Sequence, residues 1–254
     1  MKVVILAGGF GTRLSEYTES IPKPMVRIGE KPMIWHIMNH YAKYGHTDFI
    51  VALGYKAEVV KEFFRSFRAL NSDFKVNLQS GKIEWLDSSS PNWNVTLIDT
   101  GLNSLTGTRI SSIRHLVGNE AFMLTYGDGL SDVNLEDLES YHRNNGKTVT
   151  MTAVRPTARF GELDIRDGAV TSFVEKPQLG AGWINGGFFV MEPSLFDLIP
   201  DHNVMLEREP LARAAKSGEL AAFQHDGFWQ CMDNKRDLDA LQELWDSGEA
   251  PWTR

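Results

Sequence analysis

Cysteine is nearly absent from this sequence, because Cys231 is the only one among 254 residues. An internal disulfide is therefore excluded, and a chain of this size without disulfides is typical of a reducing compartment. Apolar runs are also short, far below the ~20 residues that a transmembrane helix needs. The start, Met1–Ala7, has the composition of a strand rather than of a signal peptide. We therefore expect a cytoplasmic protein with no membrane span.

Positive charge is scarce relative to negative charge. Lysine and arginine together number 26, against 33 for aspartate and glutamate, which gives a net charge of −7 at pH 7. Nucleic-acid backbones select basic surfaces, so this balance argues against a nucleic-acid partner. Small anionic ligands remain possible, because a local cationic pocket can lie in an acidic protein.

The spacing of apolar residues predicts the fold class. In the first half, short apolar runs at 3–7 and 49–53 alternate with helical spacing at 34–42 and 59–67, which is the pattern of βαβα units. A buried run at 121–126 and a β-rich run at 148–154 extend the pattern. The sequence therefore predicts an α/β fold with a mostly parallel sheet flanked by helices.

Two turns predict hairpins outside this sheet. Asp167-Gly168 separates alternating segments within Phe160–Lys176, and Ser80-Gly81 lies between apolar positions within Phe74–Leu86. Helical spacing returns at 207–216 and 235–245, and Asn134 is a suitable N-cap for a helix over 135–144. These hairpins predict a smaller β-rich portion beside the main sheet.

A glycine-rich segment, Leu6–Leu14, follows the first predicted strand. Glycines at this position let backbone amides approach phosphates, and Arg13 adds a fixed positive charge. Two familiar motifs fail on spacing. Leu14 stands where a dinucleotide fingerprint starting at Gly9 needs its third glycine, and residues 11–13 lack the Gly-Lys-Ser/Thr of a P-loop. A phosphate-binding loop of another kind and a simple tight turn both remain open at this point.

Three charged residues are candidates for binding substrate phosphates, one of them directly and two through Mg²⁺. Lys23 lies between two prolines that restrict its backbone and suits a polyphosphate, although most lysines are simply solvated. Asp128 follows a buried strand and could hold Mg²⁺, although an Asp-Gly turn is an ordinary feature. Asp233 precedes a helical segment and could be a second metal ligand or only a helix N-cap.

The combination of Leu6–Leu14 with Pro22–Met25 resembles the signature of the sugar-phosphate nucleotidyltransferase family. Further segments agree in order and spacing from Met1 to about Trp252: Trp35–Met38, Trp93–Leu97, Asp99–Gly101, Tyr126–Gly129 and Ile184–Phe189. The chain is therefore identified as a member of this family. The resemblance implies a Rossmann-like fold in a single domain over residues 1–254. It places a nucleotide-binding part at about 1–130 and a sugar-binding and C-terminal part at about 131–254.

The resemblance also implies an activity. Members of the family join a sugar 1-phosphate to a nucleoside triphosphate, and the similarity is greatest to members that use CTP and glucose 1-phosphate. The product would then be CDP-glucose, a precursor for deoxysugars of surface polysaccharides. The resemblance further implies Mg²⁺ as cofactor and a homo-oligomer, with a hexamer as the expected form.

Site residues follow from the same resemblance. The residues expected to act in catalysis are Arg13, Lys23, Asp128 and Asp233. Asp128 and Asp233 would hold Mg²⁺, while Arg13 and Lys23 would stabilise the leaving pyrophosphate. The predicted nucleotide contacts are Leu6, Ala7, Gly8, Gly9, Phe10, Gly11, Thr12, Arg13, Lys23, Ser104, Arg109 and Asp128. The predicted sugar-phosphate contacts are Tyr126, Glu175, Lys176 and Asn185.

Three alternative functions and three further residues complete the sequence hypotheses. A related transferase could use another nucleotide or sugar phosphate, and a non-catalytic subunit could bind the same ligands, whereas Leu14 disfavours a dinucleotide-dependent oxidoreductase. His36 and His40 lie four residues apart, but Ile37 stands where a zinc-protease helix needs glutamate, so packing is the preferred interpretation. Cys231 has no evident catalytic partner and is interpreted as a small buried hydrophobe.

Overall fold

The computed structural model describes residues 1–14, 18–87, 90–156, 162–166, 169–174 and 182–254. Its strands are β1 Val3–Ala7, β2 Arg27–Ile28, β3 Lys31–Pro32, β4 Asp48–Leu53, β5 Phe74–Val76, β6 Ile83–Trp85, β7 Asn94–Asp99, β8 Phe122–Tyr126, β9 Gly129–Ser131, β10 Val149–Val154, β11 Glu162–Arg166, β12 Ala169–Val174, β13 Ile184–Met191, β14 Leu220–His225 and β15 Trp229–Cys231. Its α-helices are α1 Met33–Lys43, α2 Ala57–Asn71, α3 Thr106–Ser112, α4 Arg114–Val117, α5 Leu135–Asn145, α6 Glu209–Lys216 and α7 Lys235–Asp246.

Seven strands form the central sheet in the order β14-β10-β13-β8-β1-β4-β7. Four of its six strand pairings are parallel, and only the two pairings of β13 are antiparallel. The α/β class and the mostly parallel sheet predicted from the sequence are therefore confirmed. Strands from both halves of the chain belong to this one sheet, while the predicted division of roles near residue 130 stays a prediction.

Both faces of the sheet are buried. Alternate residues of β1 enter different cores: Val3 and Ile5 pack into a core that contains residues of α1, α2 and α7, whereas Val4 and Leu6 pack into a core with residues of α3 and α6. This alternation is the expected geometry of a strand whose successive side chains point to opposite faces. It explains why β1 is uniformly apolar rather than alternating.

The local predictions for helices and hairpins are largely confirmed. Asn134 caps α5 by accepting from the backbone amides of Glu136 and Asp137. β5 and β6 form an antiparallel hairpin, and so do β11 and β12, whose turn at 167–168 lies outside the described residues. Among the helices that the structure describes, none combines the length and apolar composition that a bilayer crossing requires.

Candidate active site

Strands β1, β4, β7 and β8 run parallel and end at the same edge of the sheet. The glycine-rich segment follows Ala7 at the end of β1, and Asp128 follows Tyr126 near the end of β8. In an open α/β sheet, ligands bind in the crevice outside the carboxyl ends of the strands. The fold therefore brings the glycine-rich segment and the Asp128 turn to the edge where a ligand is expected.

Close packing explains two glycines of the segment. Gly11 has φ +64°, a left-handed conformation, and a Cβ atom there would lie 2.9 Å from the Thr18 side chain. A Cβ atom on Gly8 would lie 2.3 Å from the guanidinium carbon of Arg109. Neither position can accept a larger side chain without displacing its neighbour, so both glycines are required by the shape of this loop.

Arg109 is buried behind the loop, with only 4% of its surface exposed. Its Nη1 donates to the carbonyl oxygens of Leu53 and Gly101, at 2.8 Å each, and to the Thr100 hydroxyl at 2.7 Å. Its Nη2 donates to the carbonyl of Gly8 at 3.0 Å and that of Leu102 at 3.2 Å. These donors hold the ends of three neighbouring loops together, and the predicted nucleotide contact of Arg109 stays a prediction.

Replacing Arg109 with lysine should destabilise this junction. An ammonium group has three donors on a point charge and cannot reproduce the planar fork that reaches carbonyls on both sides. Leaving buried carbonyls unpaired costs about 1–3 kcal/mol each, so we expect the free energy of unfolding to fall by about 2 kcal/mol. Urea unfolding measures the change. Arg114→Lys is the matched control, because Arg114 is 58% exposed and its Asp197 contact is 3.4 Å; an equal effect of both changes would contradict the assignment.

A short antiparallel pairing brings the two candidate metal ligands together. β9 pairs with β15 so that Gly129 lies opposite Cys231, and the Met232 amide donates to the Asp128 carbonyl at 2.8 Å. Asp233 follows directly after Met232. The N-cap of α7 is Asn234, whose side chain forms a capping box with Asp237. Asp233 is therefore not the N-cap that the sequence left open, and its carboxylate faces the site instead.

Lys23 links the two aspartates. Its Nζ lies 2.6 Å from Asp128 Oδ2 and 2.7 Å from Asp233 Oδ1, and the lysine side chain is 11% exposed. Burial acts to lower the pKa of Lys23, but the two nearby carboxylates outweigh it and raise that pKa above its ordinary value. The sequence predicted an ammonium aimed at pyrophosphate; in the structure this ammonium compensates the charge of the aspartate pair.

Cys231, which the sequence predicted as a small buried hydrophobe, is half-buried and also belongs to this cluster. One oxygen each of Asp128 and Asp233 and the Cys231 sulfur lie within 4.8 Å of one another. Burial, reinforced by the charge of Asp128, raises the pKa of the Cys231 thiol. The thiol therefore stays protonated at neutral pH and adds no negative charge to the site.

The aspartate pair suits a hard divalent cation. Mg²⁺ binds oxygen ligands at about 2.0–2.1 Å, so two carboxylate oxygens on one ion lie at most about 4.2 Å apart. One oxygen of Asp128 and one of Asp233 lie within 4.8 Å of each other, which is close to that limit. The Lys23 ammonium already shows that a positive charge is accommodated between them. Sulfur is a poor Mg²⁺ ligand, so the two carboxylates are the members of the cluster that fit the ion.

A cavity of about 360 Å³ opens in front of these groups. Its walls include most of the predicted nucleotide contacts together with the candidate metal ligands: Leu6, Ala7, Gly8, Gly9, Phe10, Gly11, Thr12, Lys23, Ser104, Arg109, Tyr126, Asp128 and Asp233. Arg13 belongs to a 3-10 turn, Thr12–Leu14, and its predicted contact stays a prediction. The structure therefore gathers around one cavity residues that are more than 200 positions apart in the chain.

The predicted sugar side is described in part. Asn185 Nδ2 donates to the Tyr126 hydroxyl at 3.2 Å, and Asn185 Oδ1 accepts from the Gly187 amide at 2.9 Å. Tyr126 lines the cavity, so this pair adjoins the candidate nucleotide site. Glu175 and Lys176 lie outside the described residues, and their roles stay predictions.

Sequence reasoning missed one residue of this network. The Tyr126 hydroxyl donates to Glu207 Oε1 at 2.6 Å, and the Thr106 hydroxyl donates to Glu207 Oε2 at 2.6 Å. Glu207 lies in a polar stretch before α6 and carries no recognisable motif. The sequence gives no local signal for Glu207, because its hydrogen-bond partners are about 80 and 100 positions away and only the fold brings them together.

The fold and the site define a class of protein: an α/β enzyme with a glycine-rich loop, a buried lysine and paired carboxylates at one sheet edge. A family model described as nucleotidyl transferase matches residues 2–246, and the chain belongs to this family.

Individual relatives agree with this assignment. The chain is 49% identical to the glucose-1-phosphate cytidylyltransferase of Salmonella typhimurium over 253 residues, covering 99% of this chain and 98% of that protein. The corresponding protein of Salmonella typhi is also 49% identical over the same coverage. The solved UDP-glucose pyrophosphorylase of Acinetobacter baumanii superposes with a TM-score of 0.68 at 19% identity, covering 96% and 92% of the two chains. This last similarity concerns the fold alone.

Proposed function

We propose that the protein transfers a cytidylyl group from CTP to glucose 1-phosphate, giving CDP-glucose and pyrophosphate. The observation that carries the proposal is the 49% identity, over nearly the whole of both chains, to a protein named for this activity. The cavity supports it, because a glycine-rich loop, a lysine and a carboxylate pair line one pocket. A cytoplasmic location, predicted from the single cysteine, belongs to the same proposal.

In the proposed reaction, an oxygen of the sugar phosphate attacks the α-phosphorus of CTP in line. The bond from the α-phosphorus to its bridging oxygen breaks, and that oxygen leaves with pyrophosphate. The attacking phosphate is already ionised at neutral pH, so no protein base is required. Catalysis then depends on positioning and on the placement of charge, as in other phosphoryl transfers.

The protein's own residues would supply most of this positioning. Backbone amides of the segment Gly8–Thr12 can bind phosphate oxygens, and the Arg109 junction keeps that segment in place. Asp128 and Asp233 would hold Mg²⁺, which supplies positive charge to the α-phosphate oxygens when bound. Lys23 would then turn from the carboxylates toward the leaving pyrophosphate, which reconciles its observed ion pairs with its predicted role.

Pyrophosphate release tests this proposal directly. Purified protein with Mg²⁺ and glucose 1-phosphate is supplied with CTP, UTP, dTTP, ATP or GTP in separate reactions. We expect release with CTP to exceed release with every other nucleotide by at least about a hundredfold. Release with another nucleotide would keep the reaction class and change the substrate, while silence with all five would overturn the proposed activity.

Self-association is the second part of the proposal. The β5–β6 hairpin and its flanks expose several large apolar side chains to solvent: Val76 at 42%, Leu78 at 92%, Ile83 at 44% and Leu86 at 63%. Contiguous exposed apolar residues commonly mark protein contacts. They support the predicted homo-oligomer, and the mass of the purified protein in solution is the measurement that tests it.

A further inference from the structure

Glu207 forms hydrogen bonds with residues on two walls of the cavity, although Glu207 itself is not one of the residues that line it. Tyr126, at the end of β8, donates to one carboxylate oxygen of Glu207, and Thr106, at the start of α3, donates to the other, both at 2.6 Å. Tyr126 contacts the predicted sugar-binding residue Asn185, whereas α3 follows the loop that carries Ser104. One carboxylate is thus hydrogen-bonded to groups on both substrate sides.

The segment Asn203–Glu207 holds the nucleotide-side wall at several further points. Asn203 Oδ1 accepts from the Leu105 amide at 2.8 Å, and the Val204 carbonyl accepts from the Gly107 amide at 3.0 Å. The Thr106 hydroxyl accepts a hydrogen bond from the Leu206 amide at 2.8 Å and donates its own proton in a hydrogen bond to Glu207. Gly107 packs closely against this segment, since a Cβ atom there would lie 3.0 Å from the Val204 carbonyl oxygen.

Glu207 also fixes the direction of the hydrogen bonds on the sugar side. A carboxylate only accepts, so the single proton of the Tyr126 hydroxyl points to Glu207. The phenol oxygen is then left as an acceptor and receives an N–H from Asn185 Nδ2. Because Asn185 Oδ1 accepts from Gly187, the amide orientation is fixed at both ends. Its second N–H is the donor that this arrangement offers to a sugar hydroxyl.

We propose that Glu207 is a positioning residue that orients the Tyr126–Asn185 pair toward the sugar phosphate and anchors the start of α3 toward the nucleotide. The substrate part of this inference rests on the proposed function. The orientation part rests only on the hydrogen bonds and can be tested without substrate.

The first test is Glu207→Gln, an isosteric change that removes the acceptor-only character. Glutamine can donate to the Tyr126 oxygen, which would turn the phenol proton toward Asn185 and break that contact. We expect the KM for glucose 1-phosphate to rise about tenfold, with a smaller change in kcat.

Three further variants test the same network. Tyr126→Phe should raise the KM for glucose 1-phosphate, whereas Thr106→Val should raise mainly the KM for CTP. The double variant Tyr126→Phe/Glu207→Gln should have the same KM for glucose 1-phosphate as Tyr126→Phe alone.

Two outcomes would overturn the inference. One is Glu207→Gln with both KM values within twofold of wild type. The other is a lower unfolding temperature with unchanged KM values, which would show a purely structural role. Glu209→Gln, at the start of α6, is a matched control, because the Glu209 side chain is 38% exposed and pairs with neighbouring surface groups.

A second readout separates this inference from the proposed function. The side-chain amide signals of Asn185, identified in ¹⁵N-labelled protein by their loss in Asn185→Asp, report its hydrogen bonds in the absence of substrate. We expect Glu207→Gln and Tyr126→Phe to shift those signals, while Glu209→Gln leaves them in place. Unchanged signals in Glu207→Gln would overturn the orientation, whatever substrate the enzyme uses.

Discussion

Asp128→Asn is expected to lower kcat by at least about a thousandfold while the protein stays folded. Asparagine has nearly the same shape but no charge, so the change removes one of the two carboxylates that fit Mg²⁺. The pairing that supports the site should survive, because the Met232 amide bonds to the backbone carbonyl of residue 128 rather than to its side chain. Lys23 keeps its contact with Asp233 at 2.7 Å.

Pyrophosphate release over a range of Mg²⁺ concentrations measures this effect. Asp239→Asn is the matched control, because it neutralises a carboxylate that is 59% exposed and paired with Lys235 on the surface of α7. The control should keep wild-type turnover and wild-type Mg²⁺ dependence. Turnover within tenfold of wild type in Asp128→Asn, with unchanged Mg²⁺ dependence, would show that Asp128 does not hold the metal.

The Lys23 contacts explain how two carboxylates can lie this close together. Two aspartates this close repel each other, and partly buried charges are costly unless they are paired. The ammonium between them supplies the compensating charge in the same place as the expected cation. A cation held by Asp128 and Asp233 would take the place of the Lys23 ammonium, and Lys23 would then be available to bind phosphate.

Local sequence patterns predicted the parts of the structure that depend on nearby residues. The apolar runs of β1, β4 and β8 and the helical spacing of α1 are properties of short windows, and the Asn134 cap depends on residues two and three positions away. The glycine-rich segment was also recognisable, because its glycines are adjacent in the chain. These features needed no knowledge of the tertiary fold.

The remaining features depend on contacts between distant segments. β9 and β15 have three residues each and lie about 100 positions apart. Strands this short have no recognisable periodicity, so the sequence could not predict the pairing that brings Asp128 close to Asp233. Arg109 acts through four carbonyl oxygens, which leave no trace in the identity of the residues that carry them. The resemblance placed Arg109 near the nucleotide, and the geometry adds that its guanidinium binds the backbone of three loops.

His40→Gln should reduce the protein's loss of stability in mild acid. His40 is 4% exposed in α1, its Nε2 contacts the Val133 carbonyl at 3.0 Å, and no described residue pairs with its Nδ1. Burial lowers the pKa of His40 from 6.5 to about 4. Between those values the unfolded chain binds a proton that the folded protein does not, so stability falls as pH falls.

The full difference corresponds to about 3 kcal/mol, of which about 2 kcal/mol is lost between pH 7 and pH 5. Glutamine keeps a donor for the Val133 carbonyl but does not titrate in this range. We therefore expect the loss in free energy of unfolding between these pH values, measured by urea, to be about 2 kcal/mol smaller in His40→Gln than in wild type. His202→Gln, at a side chain 66% exposed, is the control and should behave like wild type. Parallel pH dependence in wild type and His40→Gln would show that His40 is not kept neutral by the core.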